Sequence, residues 1–406
     1  NATNGWQSGL SIRAGETVTP VGPIAPMTVR KVGFQFESQG GELAITLMEG
    51  AKTLDEEKLT IRKRERNQPY KRTFVSAIDG SVQYYGVNPS TTEGPNQAMF
   101  LSLHGASVEA IAQAEAYSAK SWGHLVAPTN RRPYGFDWED VGRLDALEVL
   151  AHAHSELGTD PTRTYLTGHS MGGHGTWHLA AHYPDRFAAA GPSAGWVSFF
   201  SYAGSDRPTG GSVQEILARS LAPSDTLQLI GNLAQNRIYV LHGDADDNVP
   251  PSEARTMKAA LTEAGAKFDY FEKPGAGHWW DDGDEPGASC VDWPGFFDLF
   301  ARSRLASPTE VRSIDFSTVN PGVSATHTWA TIGQQERPFM LSRIKLFADP
   351  FLRRISGTTQ NVAQLVLSRE AVQPGPVSVV LDGKKVEGLA GDTIVLSKQG
   401  EKWMQA

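Results

Sequence analysis

The stretch LTGHSMGGHGTWHLAAHYP, residues 166–184, sets one serine among glycines and then places His174, His178 and His182 four residues apart. Two chemistries use such residues. A serine becomes a nucleophile when a neighbouring base takes its proton. Histidines at i and i+4 share a helix face and bind zinc when a third ligand and a base join them. Within the stretch, Gly168-His169-Ser170-Met171-Gly172 forms a G-x-S-x-G pattern. A serine at a sharp strand-to-helix bend sits in strained backbone, so the residues two before and two after it must be small. Both are glycine here, RTYLT before them reads as a strand, and GTWHLAAHY after them reads as a helix. A glycine-rich turn without chemistry would look the same until partners are found.

Partners occur at the ends of other strands, in the order serine, acid, histidine. After RIYVL comes HGDADDNVPP with Asp244, Asp246 and Asp247, and after the following strand comes PGAGHWW with His278. Upstream, LSLHGAS ends a strand in His104-Gly105-Ala106, from which a backbone N–H can face a developing oxyanion. Open α/β sheets place their sites at such carboxyl ends. The three helical histidines lack an H-E-x-x-H pattern, and packing and surface placement account for them, so no metal is expected. The acidic run DDGDEPG lacks the spacing of an EF-hand loop and reads as a solvated loop. His104 and His169 are expected to shape the site, and His242 to be structural.

These residues need a scaffold. Strands are expected at RTFVSA, SVQYYGV, AMFLSLHG, GHLVAPT, RTYLTGHS, FAAAGPSAG, RIYVLHGD and FDYFEKPG, with amphipathic helices between most of them. That alternation predicts an α/β fold with a mostly parallel, doubly wound sheet. The first two strands form a hairpin at IDG, where Asp-Gly suits the positive φ of a tight turn. Residues 1–68 read as an N-terminal β-sandwich-like module that includes the alternating MTVRKVGFQFES, residues 69–306 as the catalytic domain, and residues 307–406 as a C-terminal β-rich module. RNQPYKR serves as a linker.

A chain of 406 residues exceeds one small core and suits several domains. With 37 basic and 45 acidic side chains, the net charge of -8 disfavours a phosphate backbone as partner. Nucleic acid is therefore not expected. The single cysteine, Cys290, makes no intrachain disulfide and no thiolate metal cluster. No apolar run approaches the roughly 20 residues of a membrane helix. The first residue is Asn rather than Met, which suggests that an upstream segment was removed, and the flanking β modules suggest export.

GHSMGG, HGDADDNVP and GAGHWW resemble the α/β-hydrolase superfamily, in particular its prolyl oligopeptidase-like catalytic domains and related esterases. The resemblance covers about residues 72–305. KRTFVSAIDGSVQYYGVNPS, Met99 through Ala110, APTNRRPYGFDWEDVGRLDALEVL and GTTQNV are similar to large bacterial secreted hydrolases of this type, which extend beyond this chain's length and suggest a fragment or a shortened relative. The resemblance implies Ser170 as nucleophile and His278 as general base. Relatives with H-G-x-x-D-x-x-V-P use the acid four residues after the histidine, here Asp246, with Asp247 the next candidate. The backbone N–H groups of Met171 and Ala106 would hold the oxyanion, each donor contributing about 3 kcal/mol in the transition state.

The connection between PSAGWVSFFSYAG and RIYVL is long enough to cap a pocket, and it makes Trp196 and Phe199, with Phe200 and Tyr202, candidates for a hydrophobic wall. The same aromatics would also suit an ordinary core. Trp279 is expected to line the cleft. Arg131 or Arg132 would meet a substrate carboxylate or pair with Asp137 or Asp140, and Arg132 is taken as a substrate-binding candidate. The expected reaction is cleavage of a carboxylic ester, of a small molecule, an acylated carbohydrate or a peptide, through an acyl-enzyme, with no cofactor. A serine peptidase needs in addition a peptide anchor or gating propeller, and no propeller-like repeat is present. A non-catalytic binding protein on the same fold would not need all three triad groups.

Overall fold

The computed structural model describes residues 1–37, 39–131, 137–204, 207–389 and 391–406. Its first strands are β1 (Leu10–Ala14), β2 (Thr17–Val21), β3 (Gly41–Glu49) and β4 (Lys52–Ile61), which pair antiparallel in the order β2-β1-β3-β4. They make one sheet. The second layer of the expected sandwich is not seen among the described residues, and β4 is exposed along nearly its whole length. The alternating residues 28–37 form no strand despite their pattern. Alternation marks a half-buried surface only where a partner covers it.

The central sheet contains β5 (Tyr70–Val75), β6 (Val82–Asn88), β7 (Ala98–Leu103), β8 (Gly123–Pro128), β9 (Thr164–His169), β10 (Ala189–Ser193), β11 (Ile238–Gly243) and β12 (Phe268–Lys273). Their order is β12-β11-β10-β9-β7-β8-β6-β5. Every neighbouring pair is parallel except β5/β6 and β6/β8. All eight strands lie where the sequence predicts them. Neighbouring residues on a strand face opposite sides, and the core divides accordingly. Met99, Leu101 and Leu103 join one apolar cluster, whereas Ala98 and Phe100 join the other.

Eight helices are described: α1 (Ala110–Glu115), α2 (Asp140–Leu157), α3 (Met171–His182), α4 (Phe199–Tyr202), α5 (Gly211–Ser220), α6 (Ile230–Leu233), α7 (Ser252–Glu263) and α8 (Pro294–Ala301). Ala146, Val149, Trp177 and Met257 of α2, α3 and α7 cover one face of the sheet, and Ala110, Phe296 and Phe300 of α1 and α8 cover the other. The architecture is an α/β-hydrolase fold with added β-rich segments. Helices α4 to α6 form the long connection between β10 and β11.

From Ser313 onward the chain forms two five-stranded sheets that enclose a core of Phe316, Trp329, Ile332, Leu365 and Leu396. This part grips the far end of α3. Buried Asn232 donates to the Ala181 and Ser317 carbonyls, 2.8 Å each, and accepts the Ser317 N–H at 2.9 Å. Ser324 Oγ donates to the His182 carbonyl, and Tyr183 Oη donates to the Val323 carbonyl at 2.6 Å. The bonds to the Ala181 and His182 carbonyls satisfy groups that the last turn of a helix leaves unpaired.

Candidate active site

The bend between β9 and α3 holds Ser170 at φ 59 and ψ -119, outside the regions open to most L-residues. Such backbone persists only where its surroundings force it. A Cβ on Gly168 would overlap the carbonyl of Gly172, and one on Gly172 would overlap that of Leu103. The Ser170 N–H donates to the Ser193 carbonyl at 3.0 Å, which pins the bend to β10. The glycine pattern is thus a packing requirement.

The loop after β11 carries the three acids. Asp244 and Asp247 are exposed, and Asp246 is buried. Asp246 Oδ1 accepts the N–H groups of Asn248 and Val249, both at 2.9 Å, which fixes the carboxylate plane. Its Oδ2 accepts His278 Nδ1 at 2.8 Å and lies 3.2 Å from His242 Nε2. Burial alone would raise this carboxyl, but the hydrogen bonds from His242 and His278 hold it well below the usual carboxylate range. His242 Nε2 also meets the Val249 carbonyl at 2.8 Å. Among the described residues, Asp246 is the acid bonded to His278.

An ionised carboxylate only accepts. His278 Nδ1 therefore carries the proton, and Nε2 is left to take one. No hydrogen bond joins Ser170 Oγ to His278 among the described residues. The two are brought to one region by His169, the residue before Ser170, whose ring lies 4.9 Å from the His278 ring. His169 Nδ1 meets Ser193 Oγ at 2.9 Å, and that hydroxyl donates to the Cys290 carbonyl at 2.6 Å. With its one proton committed, Ser193 accepts from His169. Burial lowers the His169 ring to about 3, so it stays neutral near pH 7.

The backbone at Gly105 runs beside the bend: a Cβ there would lie 3.5 Å from the His169 carbonyl and 3.6 Å from Ser170 Cβ. Ala106 follows directly. Met171 opens α3, so its N–H has no intrahelical acceptor. Neither the Met171 nor the Ala106 N–H makes a backbone hydrogen bond among the described residues. His104 is buried, its carbonyl accepts Trp138 Nε1 at 3.1 Å, and burial lowers its ring.

Trp279 is exposed and meets the edge of His169 at 5.3 Å. Trp196 is buried, and Phe199 packs on it at 5.6 Å. Arg132 lies outside the described residues. Arg131 binds Asp145 and Glu148, with Asp79 at its outer side, and so serves the scaffold. Of the packing and surface placement expected for the α3 histidines, the surface placement is corrected and packing holds, because every residue of α3 is buried. His174 meets Glu139 Oε1 at 3.1 Å, His182 meets the Pro223 carbonyl at 2.9 Å, and neither ring nitrogen of His178 has a hydrogen-bond partner. Burial raises the Cys290 thiol to about 12 and keeps it a thiol. Among the described residues, no group of three or more His, Cys, Asp or Glu side chains could hold a metal ion.

His242, expected to be structural, bonds the acid, and sequence reasoning missed two further contributors, the part-buried Glu139 and the buried Glu253. Glu139 and Glu253 act on the connection between β10 and β11, and nothing local in sequence marks that contact.

Residues 130–294 match the prolyl oligopeptidase family. Over 356 residues the chain is 25% identical to an "Uncharacterized secreted protein" of Arthroderma benhamiae, covering 80% of this chain and 37% of that one. It is 29% identical over 136 residues to poly(3-hydroxyalkanoate) depolymerase C of Paucimonas lemoignei, covering 29% and 32%. Among solved structures, the acylaminoacyl peptidase of Pyrococcus horikoshii is similar with a TM-score of 0.47 and 16% identity, over 71% of this chain and 52% of that one. The chain spans well under half the length of these curated relatives. Among the described residues, no helix is long and apolar enough to cross a membrane. The sheet order and the strained serine bend are those of an α/β-hydrolase fold, and the segment 130–294 is similar to the prolyl oligopeptidase family.

Proposed function

We propose that the protein is a serine hydrolase that cleaves carboxylic esters through an acyl-enzyme on Ser170. The observation that carries this reading is the 2.8 Å bond from His278 Nδ1 to buried Asp246, at strand ends next to a serine in forced backbone. His278 Nε2 takes the Ser170 proton as Oγ attacks the acyl carbon. Asp246 fixes the tautomer and stabilises the imidazolium that forms. The N–H groups of Met171 and Ala106 receive the oxyanion, and the same histidine then returns its proton to the leaving alcohol. Water repeats the sequence to release the acid.

The substrate in this reading is an ester of a small molecule or an acylated carbohydrate. Phe199 and Trp279 provide apolar surface for its acyl or aryl part, and Trp196, expected to line the pocket, is buried behind Phe199. Peptide cleavage is the second reading, favoured by the family match over residues 130–294. An amide needs firmer protonation of its leaving group, so the ester reaction is the less demanding one. Export is part of the proposal and rests on the description of the Arthroderma relative as secreted.

Fluorophosphonate labelling followed by peptide mapping tests the nucleophile. Ser170 is expected to carry the label, and Ser170→Ala to lose it. Comparing p-nitrophenyl acetate with Gly-Pro-p-nitroanilide separates the two readings. Turnover of the anilide alone would overturn the ester assignment, and an unlabelled Ser170 would overturn both.

A further inference from the structure

His174 lies one helical turn beyond Ser170, and its N–H donates to the Ser170 carbonyl at 3.0 Å. Its ring is fully buried between two oxygens. Nε2 is 3.1 Å from Glu139 Oε1, and Nδ1 is 3.2 Å from the Trp196 carbonyl. Both oxygens only accept, whereas a neutral imidazole has a single N–H. Both contacts are hydrogen bonds only when the ring carries both protons.

The ring is also the base of an aromatic stack. Trp196 lies flat on it at 4.9 Å and 10°, and Tyr202 lies flat on Trp196 at 4.4 Å and 10°. Phe199 meets His174 at 5.3 Å and Trp196 at 5.6 Å. Two carboxylates, part-buried Glu139 and buried Glu253, hold this segment from opposite ends. Glu139 binds His174 with one oxygen and Ser224 Oγ with the other. Glu253 Oε2 accepts the Val197 N–H at 2.8 Å and Ser201 Oγ at 2.7 Å.

We propose that His174 is a positioning residue: held between Glu139 and the Trp196 carbonyl, it clips the Trp196–Tyr202 wall to the nucleophile helix and so sets the binding of aromatic acyl groups. The proposal rests on Ser170 as nucleophile. The other charged or titratable groups near the ring are Asp137 ahead of α2, His178 on α3, and Tyr202 behind Trp196. Among the described residues, Glu139 is the charged group within hydrogen-bond reach.

The test compares p-nitrophenyl benzoate with p-nitrophenyl acetate in the full chain. In Glu139→Gln and His174→Gln the ratio of benzoate KM to acetate KM is expected to rise about fivefold or more, with the loss in KM rather than kcat. Each variant is read on its own once its melting temperature shows it folded. A ratio unchanged in either folded variant would overturn the clip while fluorophosphonate labelling of Ser170 persists. Loss of labelling in the unsubstituted protein would instead overturn the nucleophile and the clip together.

Discussion

His242 Nε2 and His278 Nδ1 converge on one oxygen of Asp246, at 3.2 and 2.8 Å. The other oxygen is taken by two backbone N–H groups. Every accepting direction of this carboxylate is therefore assigned, and its position is fixed by β11 and the turn that follows. A free carboxylate would have to be ordered each time His278 became charged. Here that ordering is already part of the fold, which is what electrostatic preorganisation requires.

Asp246→Asn should lower kcat/KM for p-nitrophenyl acetate by about 10³ to 10⁴-fold, because an amide that donates to His278 selects the wrong tautomer. Asp247→Asn, on an exposed side chain, should stay within about threefold. Equal losses in both would remove Asp246 from its assigned role. The carboxyl is held below its usual range in the fold, so the stability it adds is complete above its unfolded value. That stability is lost as pH falls through the lower folded value. The melting-temperature gap between the two proteins should accordingly be widest above about pH 5 and narrow in stronger acid.

His242→Ala should cost about tenfold in kcat while leaving KM near its original value, since it removes one donor from Asp246 without touching substrate. Steady-state kinetics on the acetate ester measures this. A KM effect with unchanged kcat would show that His242 acts on binding instead.

The inner strands β7, β9 and β10 were legible because they are short runs buried on both faces, which leaves them no polar alternative. The G-x-S-x-G, H-G-x-x-D and G-A-G-H motifs were legible at strand ends, and Asp246 and His278 of two of them meet at 2.8 Å. The strand Arg354–Gln360 was not, because RISGTTQ owes its extended form to antiparallel and parallel neighbours rather than to its own composition. The α3 histidines were misplaced for a related reason. Histidine reads as a surface residue until the surrounding elements are known, and α3 is enclosed on every side. Glu139 and Glu253 contact residues 35 and 56 positions away, a distance no local pattern spans.

Gly172→Ala should abolish soluble, active protein, because the added methyl would overlap the Leu103 carbonyl and backbone cannot rotate away. Gly277→Ala, beside His278, has nothing within 4 Å of the new methyl and should be tolerated. Expression yield and melting temperature of the pair distinguish steric need from chain flexibility. A stable Gly172→Ala would mean that the bend between β9 and α3 is wider than described.

Asn232→Ala should destabilise the fold by about 2 to 4 kcal/mol, since it leaves the Ser317 N–H and two buried carbonyls without their partner. Urea unfolding measures the loss. The substitution lies at the far end of α3 from Ser170, so below the transition the kcat of the surviving folded fraction should change little. A large kcat loss in fully folded protein would show that the C-terminal sheets set the geometry of the serine bend through the helix.

Stability in mild acid should be limited by histidines that the fold keeps neutral. Burial lowers His178 well below its ordinary value, and His182 to about 4. The unfolded chain takes up a proton on each below about pH 6.5 that the folded chain refuses. Unfolding therefore gains about 1.4 kcal/mol per pH unit per histidine across that window, and the fold weakens as pH falls. His178 is the sharper test, because neither of its ring nitrogens has a hydrogen-bond partner among the described residues. His178→Leu removes one titrating group together with an unsatisfied polar one. Its melting temperature should exceed that of the unsubstituted protein by more at pH 5 than at pH 8. Parallel curves from pH 8 to pH 5 would mean that His178 gains a proton in the folded state, with a partner that the enclosed helix face does not provide.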